Sequence, residues 1–350
     1  MFKKLNTIKV FSKNHASFWF RIFDNHAYVV DRGYLFRLQE ELQPLKQYPD
    51  TDLAMVMSSE CLVIGNTRIG YDFLKKDHTI TTVGDLRELD MAFDAASPKL
   101  YFFKRNKALR EYRSGIYDTH THEFLFTKET PPLLNISFIE GDVYLTVDQE
   151  RIDGHGHVWW SLDQSAFEGA EFREYMGLWR NQIIIASNRH LLLAVDVSTG
   201  KVIRRWQELE GFQIGSYQNV LPEPSDFVLD KETGRLVGVF SRYYFEIDLD
   251  SGKVLYENIQ AELESHGMSS FRRMGAKNEL TKTHLFVSAN MKCEGDVEPS
   301  AIVALNRHTR RIEWVHVFRD FAIGIHVPRL AGDHLYQIDV DNNIHIFARE

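Results

Sequence analysis

The sequence predicts an all-β fold: a β-propeller of seven or eight four-stranded blades, eight favoured, closed by an N-terminal strand that joins the last blade. Three observations predict it. A short phrase recurs along the C-terminal half. A second kind of hairpin precedes each copy. The hairpins recur at a spacing of roughly 44 residues, the length of one four-stranded blade.

The phrase is clearest at Ala194-Val195-Asp196-Val197-Ser198-Thr199-Gly200-Lys201-Val202-Ile203 and at Glu246-Ile247-Asp248-Leu249-Asp250-Ser251-Gly252-Lys253-Val254-Leu255. Looser copies stand at 304–313, 337–346 and 228–236. Its mechanics are local. A strand ends before the Asp, whose carboxylate accepts from the backbone two residues on. Gly takes the positive φ that tightens the turn, and Lys-Val-Ile starts the returning strand. One such hairpin occurs in any antiparallel protein. Five variants, several followed by an aromatic (Trp206, Tyr256, Trp314, Phe347), indicate a repeat.

The second hairpin pairs Ile183-Ile184-Ile185-Ala186 with Leu191-Leu192-Leu193-Ala194, and Leu236-Val237-Gly238-Val239-Phe240 with Tyr243-Tyr244-Phe245-Glu246. The N-terminal half shows the same element at Tyr28-Val29-Val30, Leu62-Val63-Ile64, Tyr101-Phe102-Phe103 and 143–147. These hairpins start near His26, Cys61, Leu100, Val143, Gln182, Arg235, His284 and His334. Eight starts favour eight blades; an irregular unit at 133–160 keeps seven open. The last unit supplies three strands, and Thr7-Ile8-Lys9-Val10-Phe11 is the expected fourth, which would leave no exposed edge at the join. Helical patterning is confined to 259–264 and 84–89. No Pro- or Ser-rich linker divides the chain, so residues 1–350 are expected to form a single domain.

The phrase resembles the repeat of quinoprotein-like (PQQ-type) β-propellers: apolar strand, Ala-x-Asp-x-x-Thr-Gly-Lys, apolar strand, Trp. The match runs almost throughout from Ala194 to Trp206, and from Ala304 to Trp314 with Arg310 in place of Gly. The resemblance implies the fold. Dehydrogenase members of that family carry a secretion signal, a calcium-binding acid cluster and often adjacent cysteines around the quinone. None of these stands in this sequence, so the activity does not carry over and no cofactor is expected.

Composition narrows the function. Net charge is −8 with 44% hydrophobic and 13% aromatic residues, which argues for a packed core and against a non-specific nucleic-acid binder. The two cysteines, Cys61 in an apolar run and Cys293 in a polar one, suggest no disulfide framework and a reducing compartment. The N-terminus has a positive start without the apolar stretch of a secretion signal, and no run approaches the ~18 apolar residues that span a bilayer. The expectation is a cytoplasmic protein with no membrane partner.

Candidate site residues are few. His120-Thr121-His122 and His155-Gly156-His157 would each offer two imidazoles on one face of a strand, so His120, His122, His155 and His157 are the candidate metal ligands. With 15 His in the chain a chance pair is expected, and no Asp or Cys completes a ligand set. Asp339-Val340-Asp341-Asn342-Asn343 echoes a calcium loop, but Ile344 stands where that loop needs Gly, and a hairpin turn explains it better. Trp159 and Trp160 are candidates for partner recognition or for packing between blades. The longest insertions are 207–226, 260–282 and 290–300. The third holds the acids Glu294, Asp296 and Glu298, a candidate partner-binding loop. No nucleophile elbow, phosphate loop or dinucleotide fingerprint is present, and no catalytic residue is assigned.

Two function classes follow. One is a non-enzymatic protein-binding propeller, in its sharper form a stoichiometric inhibitor or bacterial immunity-type protein whose acidic surface meets a basic partner. The other is a propeller enzyme, a hydrolase or lyase, with a loop-built site that uses the His pairs and a metal.

Overall fold

The computed structural model describes residues 1–11, 19–83, 86–91, 93–106, 111–129, 135–223, 227–273, 277–292, 299–318 and 326–350. Eight consecutive antiparallel sheets make the chain an eight-bladed β-propeller. Contacts group it into two compact units: an N-terminal unit of residues 11–163 with the turn 197–201, and a C-terminal unit of 1–10, 164–196 and 202–350.

The N-terminal unit holds four blades. Blade 1 is Phe20–Phe23, His26–Asp31, Tyr34–Leu38 and Leu42–Gln47. Blade 2 is Ala54–Met57, Cys61–Asn66, Gly70–Lys75 and Ile80–Val83. Blade 3 is Asp90–Met91, Lys99–Asn106, Glu111–Asp118 and Glu123–Lys128. Blade 4 is Ile136–Glu140, Val143–Thr146, Glu150–Ile152 and Val158–Ser161. The stretch that looked irregular in sequence is therefore a full blade. Second and third strands are apolar on both faces because neighbouring blades cover both, as in His26–Asp31 and Cys61–Asn66. Fourth strands alternate, as Glu123–Lys128 does, because one face meets solvent. Cys61 is a buried free thiol beside Ser58.

The C-terminal unit holds the other four. Blade 5 is Phe172–Trp179, Gln182–Ser187, Leu192–Asp196 and Val202–Trp206, and blade 6 is Val228–Asp230, Arg235–Phe240, Tyr243–Asp248 and Val254–Asn258. Between them the insertion forms its own hairpin, Glu208–Ile214 with Tyr217–Val220. Phe212 from that hairpin is buried against Tyr243, Phe245 and Tyr256 of blade 6. Blade 7 is Met268–Phe271, His284–Met291, Ser300–Asn306 and Ile312–Phe318, with the short Glu279–Leu280 also paired to its second strand. A helix at Gln260–Ser265 precedes it.

Blade 8 takes Arg329–Ala331, His334–Ile338 and Asn343–Arg349 from the end of the chain and its fourth strand, Phe2–Lys9, from the start. The expected closure is present, and the strand begins five residues earlier than Thr7, where the sequence reading placed it. Phe2 packs edge-on against Phe286 and Trp314, and its carbonyl accepts the Trp314 indole N–H at 2.6 Å. Thr7 Oγ1 lies 3.2 Å from Nδ1 of His345, whose Nε2 meets Asp339 Oδ2 at 2.8 Å.

Acid is expected to weaken this join. Burial among Trp314, Phe318 and Phe347 pushes His316 down to about 4, helped by Lys4 and His345. Burial lowers His345 as well, with Asp339 opposing it in part. A base whose folded pKa lies below its unfolded value takes up protons on unfolding. Its contribution is fully present above the unfolded value and lost as pH falls toward the folded one. Between about pH 8 and pH 4 the His316 shift alone is worth on the order of 3 kcal/mol. Urea denaturation across that range is expected to show this loss, and His316→Phe is expected to flatten the profile by a similar amount.

Candidate functional site

The turns position the candidate histidines. In each, an Asp or Asn opens the turn and its Oδ1 accepts backbone N–H groups further on. Asp248 accepts from Asp250 and Ser251, Asp230 from Glu232 and Thr233, and Asn306 from His308 and Thr309. Asp339 does the same for Asp341 and Asn343, so the calcium-like stretch is a hairpin turn.

Both His pairs belong to such turns, which corrects their expected place in strands. Asp118 Oδ1 accepts from the N–H groups of His120 and Thr121, and His122 itself takes the positive φ of 61° that Gly takes elsewhere. Asp153 Oδ1 accepts from His155 and His157, which pushes its carboxyl down to about 2. His157 Nδ1 lies 3.2 Å from Asp153 Oδ2. His122 packs on Phe73 and faces Tyr117. Among the described residues, no three His, Cys, Asp or Glu side chains gather where a metal ion could be held, so the two pairs do not meet as one ligand set.

The two tryptophans have different surroundings. Trp160 lies flat on the turn 197–201: a Cβ on Gly200, at φ +71°, would sit 2.7 Å from its ring, and its indole N–H donates to Val197 O at 2.8 Å. The same device recurs in the C-terminal unit, where Trp206 donates to Gly252 O. Trp160 is thus a docking residue between a fourth strand and the next turn. Trp159, on the other face of that strand, is 57% exposed. The Arg151 guanidinium stacks on it at 4.1 Å and also donates to Val197 O, which fixes the pair. Glu150 precedes Arg151 in the strand Glu150–Ile152, and Asp148 and Asp153 stand in the turns on either side of it. Glu294, Asp296 and Glu298 lie outside the described residues.

The C-terminal unit carries a cleft of about 990 Å³. Sequence reading missed it. Its walls come from the turn 230–234 of blade 6, the segment 277–282 and the turn 307–310 of blade 7, with Arg329 of blade 8. Arg307 is only 4% exposed and its Nη1 meets Asp230 Oδ2 at 2.6 Å. Arg235, Arg307 and Arg310 surround Glu246 at 2.9, 3.7 and 4.0 Å, and Tyr244 donates its hydroxyl to the same carboxylate. Arg310 also lies 3.9 Å over the Tyr244 ring. Lys277 donates to the Met176 carbonyl of blade 5, and Arg329 to the Lys277 carbonyl and Glu279. Burial pushes Asp230 up, but bonds from Thr233 and Arg307 outweigh it and hold the carboxyl below the usual range. Burial pushes Glu279 up and Arg329 offsets only part of this.

A signal for the cleft was present in the repeat. The residue after the turn-opening Asp is buried and apolar at Val197 and Leu249, and the equally buried residue in blade 7 is Arg307. The residue after the Thr of that copy is not Gly either: Arg310 takes φ +60° in its place, a strained position for a side chain. A charged residue where the repeat wants an apolar one needs a buried counter-ion, and Asp230 and Glu246 supply it.

No protein-family model matches the chain, and no curated protein matches it in sequence. Solved structures match it along its whole length. The computationally designed Ika8 protein aligns with a TM-score of 0.57 at 12% identity, covering 99% of both chains. BamB from Moraxella catarrhalis aligns at 0.50 and 10%, covering 100% of this chain and 98% of that one. The C-terminal WD40 domain of Sif2 aligns at 0.54 and 9%, covering 100% and 99%. At these identities the likeness is one of fold.

Proposed function

We propose that this chain is a non-enzymatic binding propeller that recognises another protein, and that it acts as a stoichiometric inhibitor of the immunity type. The observation that carries the reading is Trp159, exposed and held in place by Arg151. A tryptophan and an arginine fixed before binding lose little freedom on contact, and these two residue types dominate interface energetics. Asp148, Glu150 and Asp153, next to Arg151 in the sequence, and a chain net charge of −8 favour a partner of basic character in the reducing interior of a cell.

The reading is tested with the full chain as bait and light scattering on any complex recovered. A single partner at one-to-one stoichiometry, whose harmful activity in cells is suppressed by co-expression, is the expected result. Trp159→Ala is expected to weaken that complex by about 2 kcal/mol or more while the chain keeps its melting temperature. A complex indifferent to Trp159→Ala would remove the ground for this reading.

A further inference from the structure

We propose that the outer strand of blade 2, Ile80–Val83, is a self-association edge on which a second copy of this chain pairs antiparallel about a two-fold axis. This goes beyond the protein-binding reading and does not depend on it, because Trp159 lies on the outer strand of blade 4.

The edge differs from the other seven. An outer strand shows one row of backbone groups to solvent, and proteins guard such rows with charge, proline or a bulge. Blade 1 has Pro44 and Lys46 there, blade 3 Glu123 and Lys128, and blade 5 Arg204 and Arg205. Blade 6 has Glu257, blade 7 Glu313, and blade 8 Lys3, Lys4 and Lys9. Blade 4 breaks register between Arg151 and Ile152, where Trp159 is left out of the pairing. Among the described strands, the outer strand of blade 2 has none of these guards. It carries no charge and no proline, and it pairs in unbroken register from Tyr71–Val83 to Leu74–Ile80. With Thr79 it makes five β-branched residues in a row, a side-chain type that favours strands.

Hydrogen bonding decides which groups this edge offers. Lys75 N–H donates to Thr79 O at 2.9 Å, which makes 75 and 79 a hydrogen-bonded position. Such positions alternate along an antiparallel pair. Phe73–Thr81 and Tyr71–Val83 therefore bond inward, and the N–H and C=O groups of Ile80 and Thr82 face outward. In a reversed copy these two residues complement themselves. Ile80 of one chain meets Thr82 of the other and exchanges two hydrogen bonds with it. The two-fold axis repeats this at the other end, and Thr81 faces Thr81 on the axis. Four backbone bonds form and both open rows are filled, so association closes at the dimer.

The strand also selects its like. It has no charge to draw an acidic or basic segment, and Thr–Thr pairs across strands are favourable. Thr81 and Thr82 are exposed, so neither leaves a buried place to meet the copy. A ladder this short buries little area, which places the dimer in the weak, concentration-dependent class.

The test follows the full chain by light scattering between about 5 and 500 µM. The mean mass is expected to rise with concentration from one chain toward two. Thr81→Lys sets like charges face to face on the axis and is expected to hold the chain at monomer mass throughout, with an unchanged melting temperature. Thr81→Cys gives a second readout, in a Cys293→Ser background that leaves the buried Cys61 as the native thiol. A non-hydrogen-bonded antiparallel pair holds its Cα atoms about 4.5 Å apart, within disulfide reach. With oxidised glutathione this variant is expected to form a covalent dimer at least about tenfold faster than Thr127→Cys, on the outer strand of blade 3. Trp159→Ala is expected to leave the dimer intact. A chain that stays monomeric over the whole range, a dimer that survives Thr81→Lys or is lost with Trp159→Ala, or cross-linking no faster at 81 than at 127 would overturn the proposal.

Discussion

Deleting residues 1–10 is expected to destabilise the C-terminal unit by about 5 kcal/mol or more, at the extreme of what local changes do. The closing strand pairs with Asn343–Arg349 from Phe2 against Arg349 to Lys9 against Asn343, with one register shift between Lys4 and Asn6. Its loss would strand a row of unpaired backbone groups on a strand that is apolar at Ile344, Ile346 and Phe347. Such an edge is a template for aggregation. The deletion would also take away the Trp314 acceptor, the Phe2 ring from between Phe286 and Trp314, and the Thr7 contact to His345. Denaturant titration with a dye that reports exposed apolar surface would measure the effect. Phe2→Ala removes the ring but keeps the ladder, and is expected to cost about 3 kcal/mol. If the deletion cost no more than Phe2→Ala, closure would be a matter of side-chain packing and not of strand pairing.

Much of this fold was legible in the sequence, for a physical reason. Strands buried on both faces read as short apolar runs, and tight turns demand Gly, Asp or Asn between them. Seven of the eight second strands start on the residue expected, and the remaining one starts at Lys99 beside the expected Leu100. The legible part stops where turn chemistry is carried by other residues. Asp118 and Asp153 open the same turns as Asp248, but His122 takes the positive φ in one, and Gly in the other falls one residue earlier, at Gly156. The histidines beside each carboxylate read as candidate metal ligands, while in the fold the carboxylates accept from backbone N–H groups of these turns and Asp153 also meets the His157 ring. The cleft was harder to see because its polar contacts join residues far apart in sequence, the Asp230–Arg307 ion pair and the Lys277 hydrogen bond to the Met176 carbonyl. Only the misfit of Arg307 and Arg310 within the repeat pointed there, and a misfit is visible only once the register of the repeat is known.

Gly234→Val is expected to destabilise the C-terminal unit by about 4 kcal/mol, from two sources that add. Sequence alone gives the first: Gly234 closes the Asp230 turn at φ +66°, where a β-branched residue is strained. Structure gives the second. The Trp179 ring lies on this glycine, so that a Cβ would stand 2.3 Å from a ring atom, and the indole N–H is held by Asp250. The ring therefore cannot move aside without breaking that bond. The two sources separate experimentally. Gly234→Asn tolerates the positive φ but still meets the ring, so it is expected to lose less than Gly234→Val and more than nothing. Trp179→Ala is destabilising by itself, yet in the Gly234→Val background its added cost is expected to shrink by at least about 1 kcal/mol. Strict additivity of the two changes would mean that the glycine is required for its backbone alone. Coupling would mean that the recurrent Gly of the phrase also serves as the seat on which one blade's tryptophan rests, as Gly200 does beneath Trp160 in the N-terminal unit.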